Sequence, residues 1–461
     1  MSRAAAQLHA FETLWAELRP RIATDRNLPA RIQQRLAKEK RFGSRDRRLY
    51  RELIYTALRH LPWLESGTGC QPVDGSAAIL WLSSDTPATL PLKRELLASA
   101  PSCPPTITER AALLGQSPDA LLPAWFRAHC PAAFDEPDIT ALHTRAPLWL
   151  RLQTDAPAPV FAEFAARGWT WRTTQSGSGI LPLSEKAAGR RFHLQTDAIE
   201  LIAANDPDLT QTDAYQRGLI EIQDLGSQLI LPVALNFGGG ASDSGLRTQD
   251  SGLRTPNSEL RTPSAEPAAR RRWLDACAGA GGKTLQLARI LGPAAQIDAA
   301  DPRPAALAEL SARAARAGFK NIRIVPKNTL AQETALASDN PKSPIQNPKS
   351  YDGVLVDAPC SGTGTWRRNP HLKYSTPESA IHAAARLQLE ILARHAPLVR
   401  ADGGILIYAT CSLSRVENEN VVDAFLADPA HRDFSLARQA TILPAAHNTD
   451  GFFTATLQRG I

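Results

Sequence analysis

A glycine-rich turn follows a short apolar segment in Arg272-Trp-Leu-Asp-Ala-Cys-Ala-Gly-Ala-Gly-Gly-Lys-Thr284. Further apolar runs lie at 295–301, 321–325, 351–357 and 404–409, and helical patterns separate several of them. Alternation of this kind predicts an α/β doubly wound, Rossmann-like parallel sheet. Ligands of such sheets bind beyond the carboxyl ends of the strands, and we expect the functional residues at those ends.

The turn at 277–283 predicts a site for a nucleotide-like cofactor. Small residues let the backbone approach a ligand, and the start of the following helix offers free N–H groups. A Walker A loop needs glycine six positions before Lys283, where Cys277 stands, so an ATPase is disfavoured. The G-x-G-x-x-G spacing of nicotinamide-binding loops is also absent.

Asp301 ends the second predicted strand, 26 positions after Asp275. A carboxylate there can accept both ribose hydroxyls of an adenosine cofactor. It can also cap the next helix, since Pro302 and Pro304 follow it. We favour the ribose role.

Two cysteines follow neighbouring predicted strands. Cys360 lies in Asp357-Ala-Pro-Cys-Ser-Gly-Thr-Gly-Thr-Trp-Arg-Arg-Asn-Pro370, and Cys411 lies in Thr410-Cys-Ser412. If these strands are adjacent, their ends lie about 5 Å apart and both thiols face one cleft. A lone cysteine is usually a small buried apolar residue. Two cysteines on polar loops at the ligand edge indicate covalent chemistry instead.

Thiol chemistry of this kind suits methylation of cytosine at carbon 5, which is a poor nucleophile. A thiolate that adds to carbon 6 turns the ring into an enamine able to attack a methyl donor. Asp357 is placed to hydrogen-bond ring nitrogen 3 if it is protonated or shares a proton. A second thiol could assist release of the first. The order of the two cysteines along the chain leaves open which one attacks.

Five motifs resemble those of the Sun/Fmu (RsmB-like) branch of the Nop/Sun RNA cytosine-5 methyltransferases, and the likeness covers roughly residues 145–461. The motifs are DACAGAGGKT, DAPCSGTGTWRRNP, GGILIYATCSL, VENENVV and DGFFTATL. A weaker match is Gln223-Asp-Leu-Gly-Ser-Gln228.

The resemblance implies S-adenosylmethionine as the cofactor and RNA, above all small-subunit ribosomal RNA, as the partner. It implies that Cys411 is the nucleophile, that Cys360 serves product release and that Asp357 bonds the base. The residues implied to contact the cofactor are Cys277, Ala278, Gly279, Ala280, Gly281, Gly282, Lys283, Asp301, Asn328 and Asp357. Two positions depart from the family pattern: Ala280 stands where proline is usual, and Asn328 stands near the place of an aspartate that touches adenine. Next to the catalytic loop, Arg367 and Arg368 are candidates for RNA-backbone contacts.

Three domains are predicted. Residues 1–135 form a helical, NusB-like RNA-binding domain, 146–215 a small α+β (RRM-like) module, and 216–461 the methyltransferase domain. Seven-residue repeats mark two inserts, at 237–270 and 336–350, as disordered loops. From Lys38 to Arg51 there are seven basic and two acidic residues, which fit either phosphate binding or a solvated helix face.

The bulk properties agree with this organisation. The net charge of +6 is compatible with a nucleic-acid partner. We find neither a signal peptide nor an apolar run of about 20 residues that could span a membrane. The six cysteines lack CxxC spacing, so we expect neither a disulfide framework nor a metal site. A cytoplasmic monomer is expected.

Two other functions compete with this one. In a DNA cytosine-5 methyltransferase, Pro359-Cys360 would be the nucleophile motif and Glu419-Asn-Val421 a later motif, but Cys411 would have no role. In a non-catalytic RNA-binding factor the methyltransferase fold would be inactive, although all the expected catalytic residues are present.

Overall fold

A computed structural model describes residues 2–66, 75–173, 197–203, 207–235, 271–326 and 350–460 of the chain. The two predicted inserts, apart from Ser350, lie outside the described residues, and so does Asn328. Three structural regions follow one another along the chain: a helical region, a small antiparallel sheet, and a large mixed sheet covered by helices.

The N-terminal region is helical, as predicted. Its helices are α1 Arg3–Leu18, α2 Leu28–Lys38, α3 Ser44–Arg59, α4 Leu61–Glu65, α5 Gly75–Leu82, α6 Leu90–Leu96, α7 Ile107–Leu114, α8 Phe126–His129 and α9 Asp138–His143. Helix α3 ends at Arg59 and α4 begins at Leu61, because Pro62 lies in the first turn of a new helix. Helical structure extends to His143 rather than to residue 135. The NusB-like assignment stays a prediction.

The helical region packs directly on the region of the large mixed sheet. Trp366 is 1% exposed and lies in one apolar cluster with residues of the helical region such as Phe126. The Lys373 Nζ donates to the carbonyl oxygens of Arg59 (2.9 Å) and Leu121 (3.1 Å). The chain segment that follows Cys360 is therefore held against the N-terminal helices.

The small sheet has the order β2-β3-β1-β4, and all its pairings are antiparallel. Its elements are β1 Leu148–Leu152, α10 Ala158–Ala166, β2 Thr170–Thr173, β3 Ala198–Ile202, α11 Asp213–Gln216 and β4 Ile220–Ile222. Because β4 pairs with β1, the module ends near residue 222. The predicted boundary at residue 215 was wrong: it placed this strand in the following domain.

One face of this sheet packs on its own helices, with Leu150, Phe164 and Ile199 in the core. The opposite face lies against the region of the large mixed sheet. There Arg151, which is 2% exposed, donates to the Gly282 carbonyl oxygen (2.9 Å), and Glu221 forms ion pairs on the same face. The small sheet thus supports the glycine-rich turn from outside.

The large sheet has seven strands in the order β10-β11-β9-β8-β5-β6-β7. Its strands are β5 Arg272–Asp275, β6 Gln296–Ala299, β7 Ile322–Ile324, β8 Gly353–Asp357, β9 Ile405–Thr410, β10 Phe434–Ile442 and β11 Phe452–Arg459. Its helices are α12 Leu225–Leu235, α13 Gly282–Leu291, α14 Pro304–Arg316, α15 Leu372–Ser375, α16 Glu378–His395 and α17 Glu419–Ala427.

Five of these strands run parallel, as predicted, but the sheet as a whole is mixed. Strands β10 and β11 pair with each other antiparallel, and β11 pairs antiparallel with β9. Residues 452–457 of β11 are all buried, and Phe453 and Leu457 belong to the core beside β9. The parallel part of the sheet was predicted from its five strands, whereas the antiparallel hairpin of β10 and β11 was not predicted; such a hairpin needs no helical crossover.

Within the described ranges, no helix is both long enough and apolar enough to cross a membrane.

Candidate active site

The two predicted nucleophile loops leave neighbouring parallel strands. Strand β8 pairs with β9, and Asp357 lies opposite Ala409 in the register. The loops that follow these positions carry Cys360 and Cys411, whose sulfur atoms lie 3.2 Å apart. The predicted adjacency of the two strands is confirmed, and the two thiols lie side by side at the ends of these strands.

Glu417 accepts hydrogen bonds from both cysteine loops. This carboxylate is fully buried and accepts hydrogen bonds from the Ser361 backbone N–H (2.8 Å), the Ser361 hydroxyl, the Ser412 hydroxyl (2.6 Å) and the Gln388 amide (3.1 Å). Ser361 follows Cys360 and Ser412 follows Cys411. Because buried hydrogen bonds to a charged group are strong, Glu417 fixes the two thiols relative to each other.

A close backbone contact at Gly364 also connects the same two loops. The Gly364 N–H donates to the Cys411 carbonyl oxygen (3.0 Å), and the Gly364 oxygen accepts from the Gly451 N–H (2.8 Å). A Cβ atom at Gly364 would lie 2.0 Å from the Gly451 oxygen. Only glycine fits between these two chains, which accounts for its place in the motif after Cys360.

The two thiols differ in their electrostatic surroundings. The hydrogen bond with Cys411, burial and the negative charge of Glu417 all raise the pKa of Cys360 well above its ordinary value. Cys411 instead interacts with the ammonium group of Lys283. Positive charge favours a thiolate. These surroundings disfavour a thiolate on Cys360.

Lys283 links the glycine-rich turn to the end of β8. Its Nζ donates to Asp357 Oδ2 (2.8 Å) and to Ser227 Oγ (3.1 Å), and the side chain is 8% exposed. Burial lowers the pKa of Lys283, but the charge and hydrogen bond of Asp357 outweigh it and leave the pKa above its ordinary value. Lys283 thus donates a hydrogen bond to the Asp357 carboxylate at the end of β8. The sequence did not predict this partner of Asp357.

The glycine-rich turn is held by side chains from two other elements. Its carbonyl oxygens accept from Arg313 of α14, at Ala280 (2.6 Å), and from Arg151 of β1, at Gly282 (2.9 Å). Gly281 has φ = +90°, and a Cβ there would lie 2.7 Å from Leu310. Glycine is therefore required both by the backbone conformation and by the close packing of the turn against α14.

Asp275 accepts hydrogen bonds from residues at both ends of this turn. It is 1% exposed and accepts from the Thr284 hydroxyl (2.7 Å) and the Cys277 N–H (3.3 Å). Burial raises its pKa to about 7, although the hydrogen bond from Thr284 acts in the opposite direction.

Asp301 lies at the end of β6, beside the turn. Its oxygens accept from the Gly279 N–H (2.9 Å), the Arg303 N–H (2.9 Å) and the Arg303 guanidinium (2.8 Å). The hydrogen bond from Arg303 is the main cause of the lowered pKa of Asp301. The Arg303 side chain is 70% exposed, so this partner can move away while the carboxylate stays beside Gly279.

The two arginines after the catalytic loop are engaged inside the protein. Arg367 is 2% exposed and donates to the carbonyl oxygens of Thr144 (3.1 Å) and Arg145 (3.0 Å). Arg368 pairs with Asp224 and with Asp450 (2.8 Å). The interpretation of Arg367 as an RNA-backbone contact was wrong, because its guanidinium is enclosed where the three regions meet. Arg368 is half-buried between two carboxylates, which removes the reason for proposing it as an RNA contact.

Sequence reasoning missed Glu417, Gln388 and the pairing of Lys283 with Asp357. Glu417 lies in the VENENVV motif. This motif was interpreted only as a family resemblance, and none of its residues was predicted to belong to the site. Gln388 lies in the middle of α16, and nothing in its local sequence distinguishes it. Arg151 and Arg313 hold the turn from distant elements and carry no local signal either.

These features define a Rossmann-like methyltransferase fold with two thiols at its ligand edge. Residues 264–458 match the family described as 16S rRNA methyltransferase RsmB/F. The chain is 34% identical over 209 residues to a probable ribosomal RNA small subunit methyltransferase B of Synechocystis, covering 42% of this chain and 44% of that protein. It is 29% identical over 284 residues to its counterpart in Bacillus subtilis, covering 58% and 53%. The chain thus spans about half the length of these curated relatives.

A solved structure extends the likeness in fold to the other regions. The crystal structure of PH0851 superposes with a TM-score of 0.60 at 18% identity and covers 94% of this chain and 95% of that one. At this identity the likeness concerns the fold alone.

Proposed function

We propose that this chain transfers a methyl group from S-adenosylmethionine to carbon 5 of a cytosine in RNA, with small-subunit ribosomal RNA as the substrate. The pair of thiols 3.2 Å apart at the carboxyl end of the sheet carries the proposal. Methylation of a nitrogen or oxygen needs no covalent thiol, whereas carbon 5 of cytosine does. The names of the relatives support methylation of small-subunit ribosomal RNA.

The residues of the turn and of β6 fit the cofactor. The backbone at 277–283 is built of small residues, and its carbonyl oxygens are bound from behind by Arg151 and Arg313. Asp301 would accept the ribose hydroxyls after Arg303 moves away, in keeping with the greater exposure of that arginine. When bound, S-adenosylmethionine supplies an electrophilic methyl group.

Cys411 acts as the nucleophile of the proposed reaction. Its sulfur adds to carbon 6 of the cytosine, and the Lys283 ammonium stabilises the thiolate before attack. Asp357 and Lys283 form one hydrogen-bonded pair at the edge of the cleft, and this pair bonds the polar edge of the base as charge moves onto ring nitrogen 3.

Cys360 serves the release step. After methyl transfer the proton on carbon 5 must leave, and the bond between carbon 6 and the Cys411 sulfur must break. Solvent takes the carbon 5 proton, the double bond between carbons 5 and 6 re-forms, and Cys411 leaves as a thiolate. The Cys360 thiol, whose sulfur is 3.2 Å from that of Cys411, is positioned to donate a proton to the departing thiolate. A DNA cytosine-5 methyltransferase would attack with Cys360, but the raised pKa of this thiol disfavours that role.

The proposal is tested by methyl transfer from labelled S-adenosylmethionine to small-subunit RNA prepared from a strain lacking the gene. Digestion to nucleosides followed by mass spectrometry should find the label in 5-methylcytidine. Cys411→Ala should abolish the transfer, while Cys103→Ala, which removes a half-buried thiol of the helical region, should leave it unchanged. Label in another nucleoside, or transfer to DNA alone, would show that the proposal is wrong.

A further inference from the structure

A cluster of three possible metal ligands lies apart from the cysteine cleft, where the helical region meets α16. His129 comes from α8, and Glu378 and His382 come from α16. The ligand atoms of the three side chains all lie within 4.8 Å of one another. His129 is 5% exposed, whereas His382 is exposed to solvent. The cluster therefore has one ligand in the protein interior and one ligand at the surface.

The imidazole of His129 is held through both nitrogen atoms. Its Nδ1 lies 2.7 Å from Ser414 Oγ, and its Nε2 lies 3.0 Å from Glu378 Oε1. Histidines that bind metals commonly donate their second ring N–H to an oxygen, which fixes the tautomer. If Nδ1–H donates to Ser414, then Nε2 turns a lone pair toward a carboxylate oxygen, and a cation between the two acceptors would relieve their repulsion.

The other two ligands belong to one helical face. Glu378 and His382 are four positions apart on α16, so their side chains lie one above the other. Together with His129 they supply two imidazole nitrogens and one carboxylate oxygen. This donor set suits a tetrahedral zinc ion with water in the fourth position.

We propose that His129, Glu378 and His382 bind one divalent transition-metal ion of the zinc type, which fastens the helical region to the methyltransferase domain. The Arg415 N–H already donates to the His129 carbonyl oxygen (3.1 Å) at this junction. Ser414 lies three positions after Cys411, so the ion would also stiffen the segment that follows the nucleophile. The site does not depend on the proposed methyl transfer.

The test uses the full chain without a polyhistidine tag, treated with chelator and titrated with Zn²⁺ by calorimetry. We expect one ion per chain and a rise in the thermal midpoint with Zn²⁺. His382→Ala, at an exposed position where folding is not at risk, should weaken binding at least about tenfold, as should Glu378→Gln. His9→Ala is the matched control, because His9 forms an exposed pair with Glu12 (3.4 Å) at similar helical spacing.

Zinc also binds thiols, so the titration is repeated with Cys360→Ser/Cys411→Ser. Uptake that disappears in this variant but survives His382→Ala would place the ion on the cysteines and overturn the proposal. The same conclusion follows if the chain takes up no ion at all, since the three side chains would then form only hydrogen bonds. Co²⁺ bound with a visible absorption band of tetrahedral coordination, lost in His382→Ala, would support the site.

Discussion

The sulfur atoms of Cys360 and Cys411 lie 3.2 Å apart although 51 positions separate the residues in the sequence. Adjacent parallel strands bring them together, and Glu417 and Gly364 hold their loops. The two thiols lie side by side but differ in charge environment: the charge of Glu417 raises the pKa of Cys360, whereas Cys411 interacts with the Lys283 ammonium. This asymmetry is the physical basis for two different roles.

The first prediction concerns the order in which the thiols react. At pH 7.5, limiting iodoacetamide should alkylate Cys411 about tenfold faster than Cys360, because the raised pKa of Cys360 lowers the reactive thiolate fraction of that residue. Peptide mass spectrometry gives both rates in one sample. Cys277 is an internal reference, since burial raises its pKa as well. Earlier modification of Cys360 would contradict the assignment of roles.

The second prediction concerns Glu417→Gln. Glutamine offers one acceptor where the carboxylate accepts from three residues, and its NH₂ would face other donors. We expect kcat to fall on the order of 10- to 100-fold, corresponding to the loss of about 1.5–3 kcal/mol, while S-adenosylmethionine binding changes little.

Glu419→Gln provides the control for this variant. Glu419 lies two positions away in the same motif and accepts from Thr441 on β10 (3.4 Å). Its activity should stay close to that of the parent chain. Equal losses of kcat in both variants would show that Glu417 has no special effect on the thiol loops.

The third prediction concerns the dependence of stability on pH. The folded chain binds the proton of Asp275 more tightly than the unfolded chain, because burial raises its pKa to about 7. This contribution to stability is complete below the ordinary carboxyl pKa of about 4 and is lost as the pH rises toward 7. The free energy of unfolding of the parent chain relative to Asp275→Asn should therefore fall over this range, by at most about 4 kcal/mol.

Denaturant unfolding of both chains at several pH values measures this difference. The pKa of Asp450 is also raised to about 7 by burial, but Asp450 is present in both chains and cancels. A difference that does not change between pH 4 and 7 would contradict the account of Asp275.

The fourth prediction concerns the basic segment of the helical region. Lys40 and Arg41 are exposed, and we expect them to contact RNA phosphates. Lys40→Ala/Arg41→Ala should lower the slope of log K against log salt by about 1.5, since each phosphate contact contributes about 0.7–0.9. Arg172→Ala/Arg217→Ala removes two exposed charges from the small sheet module and is the matched control. Equal salt slopes for the two double variants would show that Lys40 and Arg41 of the helical region do not contact the RNA.

Much of the site was predictable because the information is local. Strand ends, glycines and cysteines lie in short motifs, so the positions of Cys360, Cys411 and the 277–283 turn followed from the sequence. The contacts of Arg367 did not, since burial depends on how three regions pack around it. Strand β4 was missed because only three residues pair with β1. The His129 cluster joins residues about 250 positions apart, and no motif marks such a cluster.

The most direct test of the central claim is covalent trapping on substrate RNA. With S-adenosylmethionine present, Cys360→Ala should accumulate an RNA–protein complex that survives denaturing electrophoresis, because Cys411 attacks and release fails. Cys411→Ala should form no such complex. A stable complex in Cys411→Ala together with none in Cys360→Ala would contradict the account and make Cys360 the nucleophile.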